Sequence, residues 1–179
     1  MLHKTSTELK WVVFYTCPRA EKVVYKQLVD KGYETFLPLQ KNLRIWKNRQ
    51  RKLIEEPLFP CYIFVKTRSS DIYNISRIHG ICRCVVFEGK SCIIPDKDIE
   101  AIQIMILSEQ QVVSSNNEFK EGEKVKIIRG PLTGYEGILF KQKGNSKFGI
   151  QMEGINLIAS IDISIEDIQK QKDELLIIT

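Results

Sequence analysis

Cysteine and histidine are the side chains of this sequence that suit metal or nucleophilic chemistry. Cys82 and Cys84 are two residues apart and would share one strand face, but only His3 and His79 are available as histidine ligands and neither has zinc-site spacing. No third group stands where it would orient a Cys–His pair for catalysis. The odd cysteine count argues against a disulfide framework; the five are Cys17, Cys61, Cys82, Cys84 and Cys92. The sequence therefore predicts no enzyme, no metal site and no cofactor.

Binding chemistry is better supported, first by a run of basic side chains around Trp46. The run contains no acidic residue and consists of Lys41, Arg44, Lys47, Arg49, Arg51 and Lys52. One interpretation is a solvated charged hairpin. The other is a flexible arm that neutralises phosphates without sequence preference, with Trp46 stacking on an unpaired base.

A second basic surface is predicted on the first helix. Arg19, Lys22 and Lys26 lie on its polar face, and His79 ends a later helix. These side chains form either a solubilising face or a nucleic-acid patch. Residues 1–110 carry 18 Lys and Arg against 12 Asp and Glu, a net charge of +6, whereas residues 111–179 carry 9 and 10, a net charge of −1. Nucleic-acid affinity is therefore expected in the N-terminal part.

The elements that position these residues begin with two strands that are apolar on both faces. Trp11, Val13 and Tyr15 alternate with Val12 and Phe14, and residues 61–66 show the same pattern. Helices are predicted over residues 18–31, 72–78 and 95–107, and further strands over 33–37 and 82–87. Three helices are too few to cover both sheet faces, so an aromatic face is expected to be open to a partner, with core packing as the alternative. Its candidate residues are Tyr15, Phe59, Pro60, Tyr62, Phe64 and Phe87.

A glycine-rich turn between two strands dominates the C-terminal part. Alternating apolar and charged residues precede the turn and an apolar run follows it. Glycines permit backbone conformations that side chains forbid, and proline presets one turn angle. The spacing resembles the KOW motif of small SH3-like β-barrels; the motif residues are Gly122, Val125, Ile127, Gly130, Pro131, Gly134 and Gly137. An ordinary hairpin of an unrelated barrel is the alternative.

Length and composition indicate two globular domains in one chain. The 179 residues are 43% apolar and 27% charged, with neither a signal-peptide pattern nor a long apolar run, so a cytoplasmic protein without a membrane segment is expected. The predicted fold is α+β: a mixed, mostly antiparallel α/β sandwich joined by a linker to a small SH3-like β-barrel. The predicted boundaries are a leader at 1–9, the first domain at 10–107, a linker at 108–119, the barrel at 120–168 and a tail at 169–179.

In order along the chain, these segments resemble the NusG family of transcription elongation factors over residues 10–168. The resemblance rests on residues 11–15, the helix start at 18–22, Phe59-Pro60-x-Tyr62 and the KOW unit. The segment 56–65 resembles specialised paralogues, such as RfaH and the UpxY-type antiterminators of polysaccharide operons, more than it resembles housekeeping NusG. Housekeeping members usually have glycine after Phe-Pro, where this chain has Cys61.

The resemblance implies partners for each surface. The aromatic face would bind the clamp helices of the largest catalytic subunit of RNA polymerase, and the surface formed by Arg19, Lys22, Lys26, Gln27 and His79 would read the displaced non-template DNA strand. A ribosomal protein or Rho would bind the barrel through Phe148 and Ile150, which are equally suited to its core. The His-Thr-Thr signature of RfaH is absent; residues 70–73 stand in its place.

These points predict an operon-specific transcription antitermination factor, acting on a polysaccharide-type operon and promoting processive transcription. Two alternatives remain open at this stage. One is a housekeeping NusG that acts at all genes, and the other is a ribosome-associated, RNA-binding KOW protein without a polymerase contact.

Overall fold

The computed structural model describes residues 8–46, 49–108, 112–116, 122–142, 145–152 and 154–171. Among the predicted features, Lys47, most of the leader, most of the tail and parts of the linker lie outside these residues. The chain divides into two compact units, the first reaching to Ile99 and the second beginning at Glu100. The predicted α+β class with mostly antiparallel sheets is confirmed.

The first unit is a five-stranded antiparallel sheet with two helices on one face. Its elements in chain order are β1 (Lys10–Thr16), α1 (Glu21–Asp30), β2 (Glu34–Phe36), β3 (Leu39–Ile45), β4 (Arg51–Pro57), β5 (Tyr62–Thr67), α2 (Ile72–Ser76), β6 (Ile81–Cys84), β7 (Val86–Phe87), β8 (Lys90–Ser91) and β9 (Ile93–Ile94). The main sheet has the order β2-β5-β1-β6, and β9 also pairs with β1. The strand pair β3–β4 and the pair β7–β8 each form a separate hairpin.

The core on the helical face follows the two-residue period of the strands. Val12 and Phe14 of β1 point to this face with Ile63 and Val65 of β5. They pack against buried residues that include Val24 and Leu28 of α1 and Ile75 of α2. The alternation in the sequence therefore predicts this layer correctly.

Helix α1 begins three residues later than predicted. Arg19 has a φ of 67°, a left-handed conformation that a right-handed helix excludes, so Pro18 and Arg19 belong to a turn. The helix ends before Gly32, whose φ of 82° suits a glycine. The predicted end of the helix is thus correct and the predicted start is wrong.

The basic segment, interpreted from sequence as either a solvated charged hairpin or a flexible arm, is a long β-hairpin. Strands β3 and β4 pair residue by residue from Leu39↔Pro57 to Ile45↔Arg51. A further difference is the predicted strand 82–87, which is divided into β6 and β7. Sequence periodicity misses the hairpin because its charged side chains alternate with only a few apolar ones.

The second unit contains an antiparallel six-stranded sheet. Its elements are α3 (Asp96–Leu107), whose first residues fall before the division, and then β10 (Val113–Asn116), β11 (Glu123–Ile127), β12 (Glu136–Gln142), β13 (Asn145–Met152), β14 (Leu157–Asp162) and β15 (Ile168–Lys170). The strand order is β10-β14-β13-β12-β11-β15. Part of the predicted linker is therefore strand β10, because its backbone groups pair with β14. Among the described residues, no helix is long and apolar enough to span a membrane.

Candidate functional site

Two tyrosine rings meet on the sheet face opposite the helices, at the ends of two central strands. Tyr15 and Tyr62 are cross-strand partners in β1 and β5, and their ring centroids lie 5.3 Å apart at an interplanar angle of 77°. The Arg83 guanidinium lies 5.6 Å from the Tyr15 ring centroid. Both tyrosines are half-buried. This edge-to-face pair presents aromatic surface and phenolic oxygens with rotamers fixed by neighbours.

The turn that precedes Tyr62 is held by a buried carboxylate. Cys61 has a φ of 67°, and its backbone N–H donates a hydrogen bond to Glu21 Oε1 at 2.8 Å. Glu21 stands in the first turn of α1 and is 5% exposed. The hydrogen bond between the side chains of Tyr15 and Cys61 raises the pKa of Tyr15. Glu21 and Cys61 therefore fix the position of the tyrosine pair.

Phe59 and Phe64 are not on an exposed face, and the expectation that they are is wrong. Both side chains are fully buried. Phe64 packs against Phe59 and Phe36 with centroid distances of 6.0 Å each, and Phe36 lies 6.4 Å from Trp11. These rings lie in a row on the second face of the sheet, where Trp11 and Phe64 are buried and Phe36, like the two tyrosines, is half-buried.

The two remaining aromatic-face candidates are exposed. Pro60 lies in the turn between β4 and β5, directly before Cys61. Phe87 lies in β7 with half of its surface exposed, paired across the hairpin with Lys90. The structure thus brings Tyr15, Tyr62 and the turn at Pro60 together in one surface, called here the tyrosine surface, with Arg83 at its side.

The β3–β4 hairpin carries most of the predicted basic run at its tip. Arg49, Arg51 and Lys52 are exposed, and Trp46 is 58% exposed. Arg44 is engaged by an ion pair with Glu56 at 2.6 Å. The tip also bears exposed apolar side chains, with Leu43 paired opposite Leu53. The run is therefore a mixed basic and apolar hairpin rather than a purely charged one.

The predicted helix patch is assembled in part. The Gln27 side-chain amide donates to the His79 carbonyl at 3.1 Å, which places the end of α2 beside α1. Lys22 Nζ donates to the Glu55 carbonyl at 2.9 Å and so ties α1 to β4. Arg19 and Lys26 are exposed. The patch is one surface of helix and turn, with Lys22 already holding a protein partner.

The glycine-rich turn of the second unit has the geometry its sequence requires. Gly130 and Gly134 have φ values of 88° and 92°, and Gly134 N–H donates to the Ile127 carbonyl at 2.8 Å. At Gly137 an added Cβ would lie 2.5 Å from the Gly149 carbonyl oxygen and 2.6 Å from the Phe148 ring. These glycines permit the turn and the close approach of β12 to β13. Val125 and Ile127 are buried beneath them, and Gly122 and Pro131 flank the strand and the turn.

Of the two interpretations left open for Phe148 and Ile150, a partner-binding surface or the core, their burial places them in the core. Phe148 is fully buried and Ile150 is 3% exposed. The sequence does not decide this point. The alternation of Phe148, Ile150 and Met152 with Lys147, Gly149 and Gln151 identifies one apolar face of β13, but not whether the core or a partner covers that face.

Sequence reasoning misses Glu21 and Arg83, although both position the tyrosine surface. Arg83 pairs with Tyr15 across the β1–β6 ladder. An antiparallel register is needed to place it there, and the sequence contains no signal for that register. Within the described residues, no group of three or more His, Cys, Asp or Glu side chains is arranged to hold a metal ion.

A family model described as transcription termination factor nusG matches residues 9–103. The transcription termination/antitermination protein NusG of Streptococcus pyogenes serotype M1 is 27% identical over 168 residues, covering 86% of this chain and 92% of that protein. The protein of the same description from Borreliella burgdorferi is 23% identical over 176 residues, covering 85% of this chain and 94% of its own.

A solved structure titled "Domain interaction in Thermotoga maritima NusG" shares the fold. Its TM-score is 0.51 at 19% sequence identity, covering 92% of this chain and 98% of that one. The match therefore extends over both units of the chain.

Proposed function

Since the chain belongs to the NusG family of transcription termination and antitermination factors, we propose that it binds RNA polymerase through the tyrosine surface and promotes processive elongation. The observation that carries this proposal is the Tyr15–Tyr62 pair. It stands half-buried at the ends of two central strands, on the sheet face that also carries the buried Trp11 and Phe64 and the half-buried Phe36. Aromatic anchors fixed by packing lose little entropy on binding and dominate many protein interfaces.

The surroundings of the pair suit a partner with apolar helices and some acidic side chains. Arg83 adds a positive charge beside the rings, and Pro60 adds an exposed rigid apolar surface. The clamp helices of the largest catalytic subunit are the proposed contact. The proposed role is that of a binding protein, with no chemical step.

Binding to purified core RNA polymerase tests the proposal. Tyr15→Ala and Tyr62→Ala should each weaken affinity about 30-fold, which corresponds to about 2 kcal/mol for a central anchor. Tyr73→Ala is the matched control, because Tyr73 is a 68% exposed tyrosine on α2. Equal affinity of all three variants and the unaltered chain would refute the proposed surface.

We propose further that the basic surfaces contact upstream DNA and the displaced non-template strand. Arg49, Arg51 and Lys52 at the hairpin tip suit phosphates, and Trp46 suits an unpaired base. Lys26 is better placed to address base edges, because α1 holds its backbone rigidly, and Arg19 stands in the turn directly before that helix. Lys47 follows Trp46 in the sequence, and we include it in the proposal.

The narrower proposal is an antiterminator specific to one polysaccharide-type operon. It is supported by Cys61, which occupies a left-handed backbone position where housekeeping members usually have glycine. The similarity to the NusG proteins of Streptococcus pyogenes and Borreliella burgdorferi supports a housekeeping role equally well. RNA sequencing after gene deletion distinguishes the two, because an operon-specific factor should lower the promoter-distal transcripts of one long operon only. Changes at most transcription units would support the housekeeping role.

A ribosomal protein or Rho is the proposed partner of the second unit. Because Phe148 and Ile150 are buried, the contact would use other residues of that unit. Co-purification of the isolated partner with the full chain tests this, with polymerase absent.

A further inference from the structure

Two cysteine thiols meet on the surface of the first unit. Cys17 Sγ and Cys82 Sγ lie 3.2 Å apart, although the residues are 65 positions apart in sequence. Both side chains are exposed. The pair belongs neither to the tyrosine surface nor to the basic surfaces described above.

The strand register explains why these two sulfur atoms meet. In the β1–β6 ladder Tyr15 pairs with Arg83, but Thr16 pairs with Ile81, so Cys82 is the extra residue of a β-bulge. A bulge redirects the side chain of its extra residue. Cys17 follows immediately after β1, and its N–H donates to the Gly80 carbonyl at 2.9 Å. The bulge and this hydrogen bond hold the two thiols at the same end of the ladder.

We propose that Cys17 and Cys82 form a reversible redox site that closes into a disulfide bond. The sulfur atoms of a disulfide are about 2.0 Å apart, so closure requires a movement of about 1.2 Å. Both residues are exposed at the end of the ladder, Cys82 in a bulge and Cys17 beyond the last residue of β1. Formation of the disulfide bond requires no other residue of the chain.

The oxidant is a low-molecular-weight disulfide such as glutathione disulfide. One cysteine, as its thiolate, attacks a sulfur of the oxidant, forms a mixed disulfide and releases one thiolate. The second cysteine attacks the protein sulfur of that mixed disulfide and releases the other thiolate. The two protons given up by the cysteines are taken up by the two released thiolates. The pair is thereby oxidised by two electrons and one oxidant molecule is reduced to two thiols.

The other cysteines are poorer partners for this reaction. Cys92 is buried and Cys84 is half-buried, which limits the access of the oxidant, and burial raises the pKa of both thiols, that of Cys92 to about 11. The hydrogen bond with Cys17 raises the pKa of Cys82, which lowers the fraction of Cys82 present as thiolate. Cys61 is the nearest competitor, since its carbonyl accepts the N–H of Thr16, the residue before Cys17.

The experiment uses the full chain, first reduced with dithiothreitol and then exposed to glutathione disulfide. Remaining thiols are alkylated, and tryptic peptides are identified by mass spectrometry. The expected result is an intact protein lighter by two hydrogens and a cross-linked peptide that joins Cys17 to Cys82. Dithiothreitol should reverse the change. The oxidised chain should also melt at a higher temperature than the reduced one, because the bond closes a long loop.

Single substitutions separate this site from general thiol oxidation. Cys17→Ser and Cys82→Ser should each abolish the cross-link and the rise in melting temperature, and both positions are exposed, so the fold should persist. Cys61→Ser is the matched control and should retain the cross-link. A cross-link that contains Cys61, or separate glutathione adducts without any cross-link, would overturn the proposal. None of these outcomes depends on polymerase binding.

Discussion

The carboxylate of Glu21 accepts a hydrogen bond from the backbone N–H of Cys61 across 40 positions of sequence, at 2.8 Å. This contact joins the first turn of α1 to the left-handed residue that precedes Tyr62. A buried backbone N–H without an acceptor is costly, so the contact fixes the turn as well as stabilising it. One helix residue thus controls the direction in which the aromatic strand leaves its turn.

Opposite effects are expected from changing the two members of this contact. Cys61→Gly should stabilise the chain by about 0.5 kcal/mol, because release of left-handed strain exceeds the added entropy of the unfolded state. Glu21→Ala should destabilise it by about 1–3 kcal/mol by leaving the N–H unpaired. Urea unfolding measures both. A destabilised Cys61→Gly variant would show that the sulfur contributes more than the backbone strain costs.

Phe64→Ala should destabilise the first unit by about 3–5 kcal/mol, because the side chain is fully buried in the row of aromatic rings. Chemical denaturation measures this destabilisation. Tyr73→Ala provides the control, since an exposed tyrosine should change stability by no more than about 0.5 kcal/mol. A Phe64→Ala chain of unchanged stability would show that Phe64 is a surface residue after all.

Gly137→Ala should destabilise the second unit by about 3 kcal/mol, since the new methyl would meet a backbone oxygen that has no rotamer by which to move away. Gly130→Ala is the matched variant, because its Cβ meets nothing and only its φ of 88° is unfavourable. It should be destabilised by about 1 kcal/mol. Thermal unfolding compares the two, and equal destabilisation would contradict the steric explanation.

Neutralising Arg49 and Arg51 to glutamine should weaken DNA binding to the same extent for cognate and scrambled sequences. Removing each phosphate contact should flatten the slope of log affinity against log salt by about 0.9. Arg44→Gln is the control within the same hairpin, because its guanidinium is already paired with Glu56 and should affect affinity less. The measurement is DNA binding across a salt series. A sequence-dependent reduction in affinity would indicate base contacts by the tip.

In the second unit, Lys147 Nζ donates to Asp162 Oδ1 at 2.7 Å, and this hydrogen bond lowers the pKa of Asp162. A lowered folded-state pKa adds stability that is complete above the ordinary value of 3.8 and is lost as the pH falls through the folded value. Asp162→Asn should therefore lower the free energy of unfolding at pH 7 and leave it unchanged at a pH below the folded-state pKa of Asp162. Because Asp162 is half-exposed, the cost should stay below about 1 kcal/mol. Denaturation at both pH values tests this, and a constant difference would exclude the ion pair as its source.

Local patterns predict most of the elements. Alternation in residues 11–15 and 61–66 locates β1 and β5, and Gly32 locates the end of α1, because period and backbone freedom act over a few residues. The β3–β4 hairpin resembles a loop in sequence, since its strands pair with each other and bury little. Strand β10 resembles a linker because its stability comes from pairing with β14, a contact between distant segments.

The sequence by itself determined the family, the fold class and the glycine-rich turn, because these depend on residue types at short, fixed spacings. The tertiary structure decided which aromatic side chains are surface and which are core. Phe59 and Phe64 are buried within a row of rings, whereas Tyr15 and Tyr62 are half-buried at the ends of their strands. It also decided the meeting of Glu21 with Cys61 and of Cys17 with Cys82. Strand register and a single bulge set these contacts, and neither is encoded within a local stretch of chain.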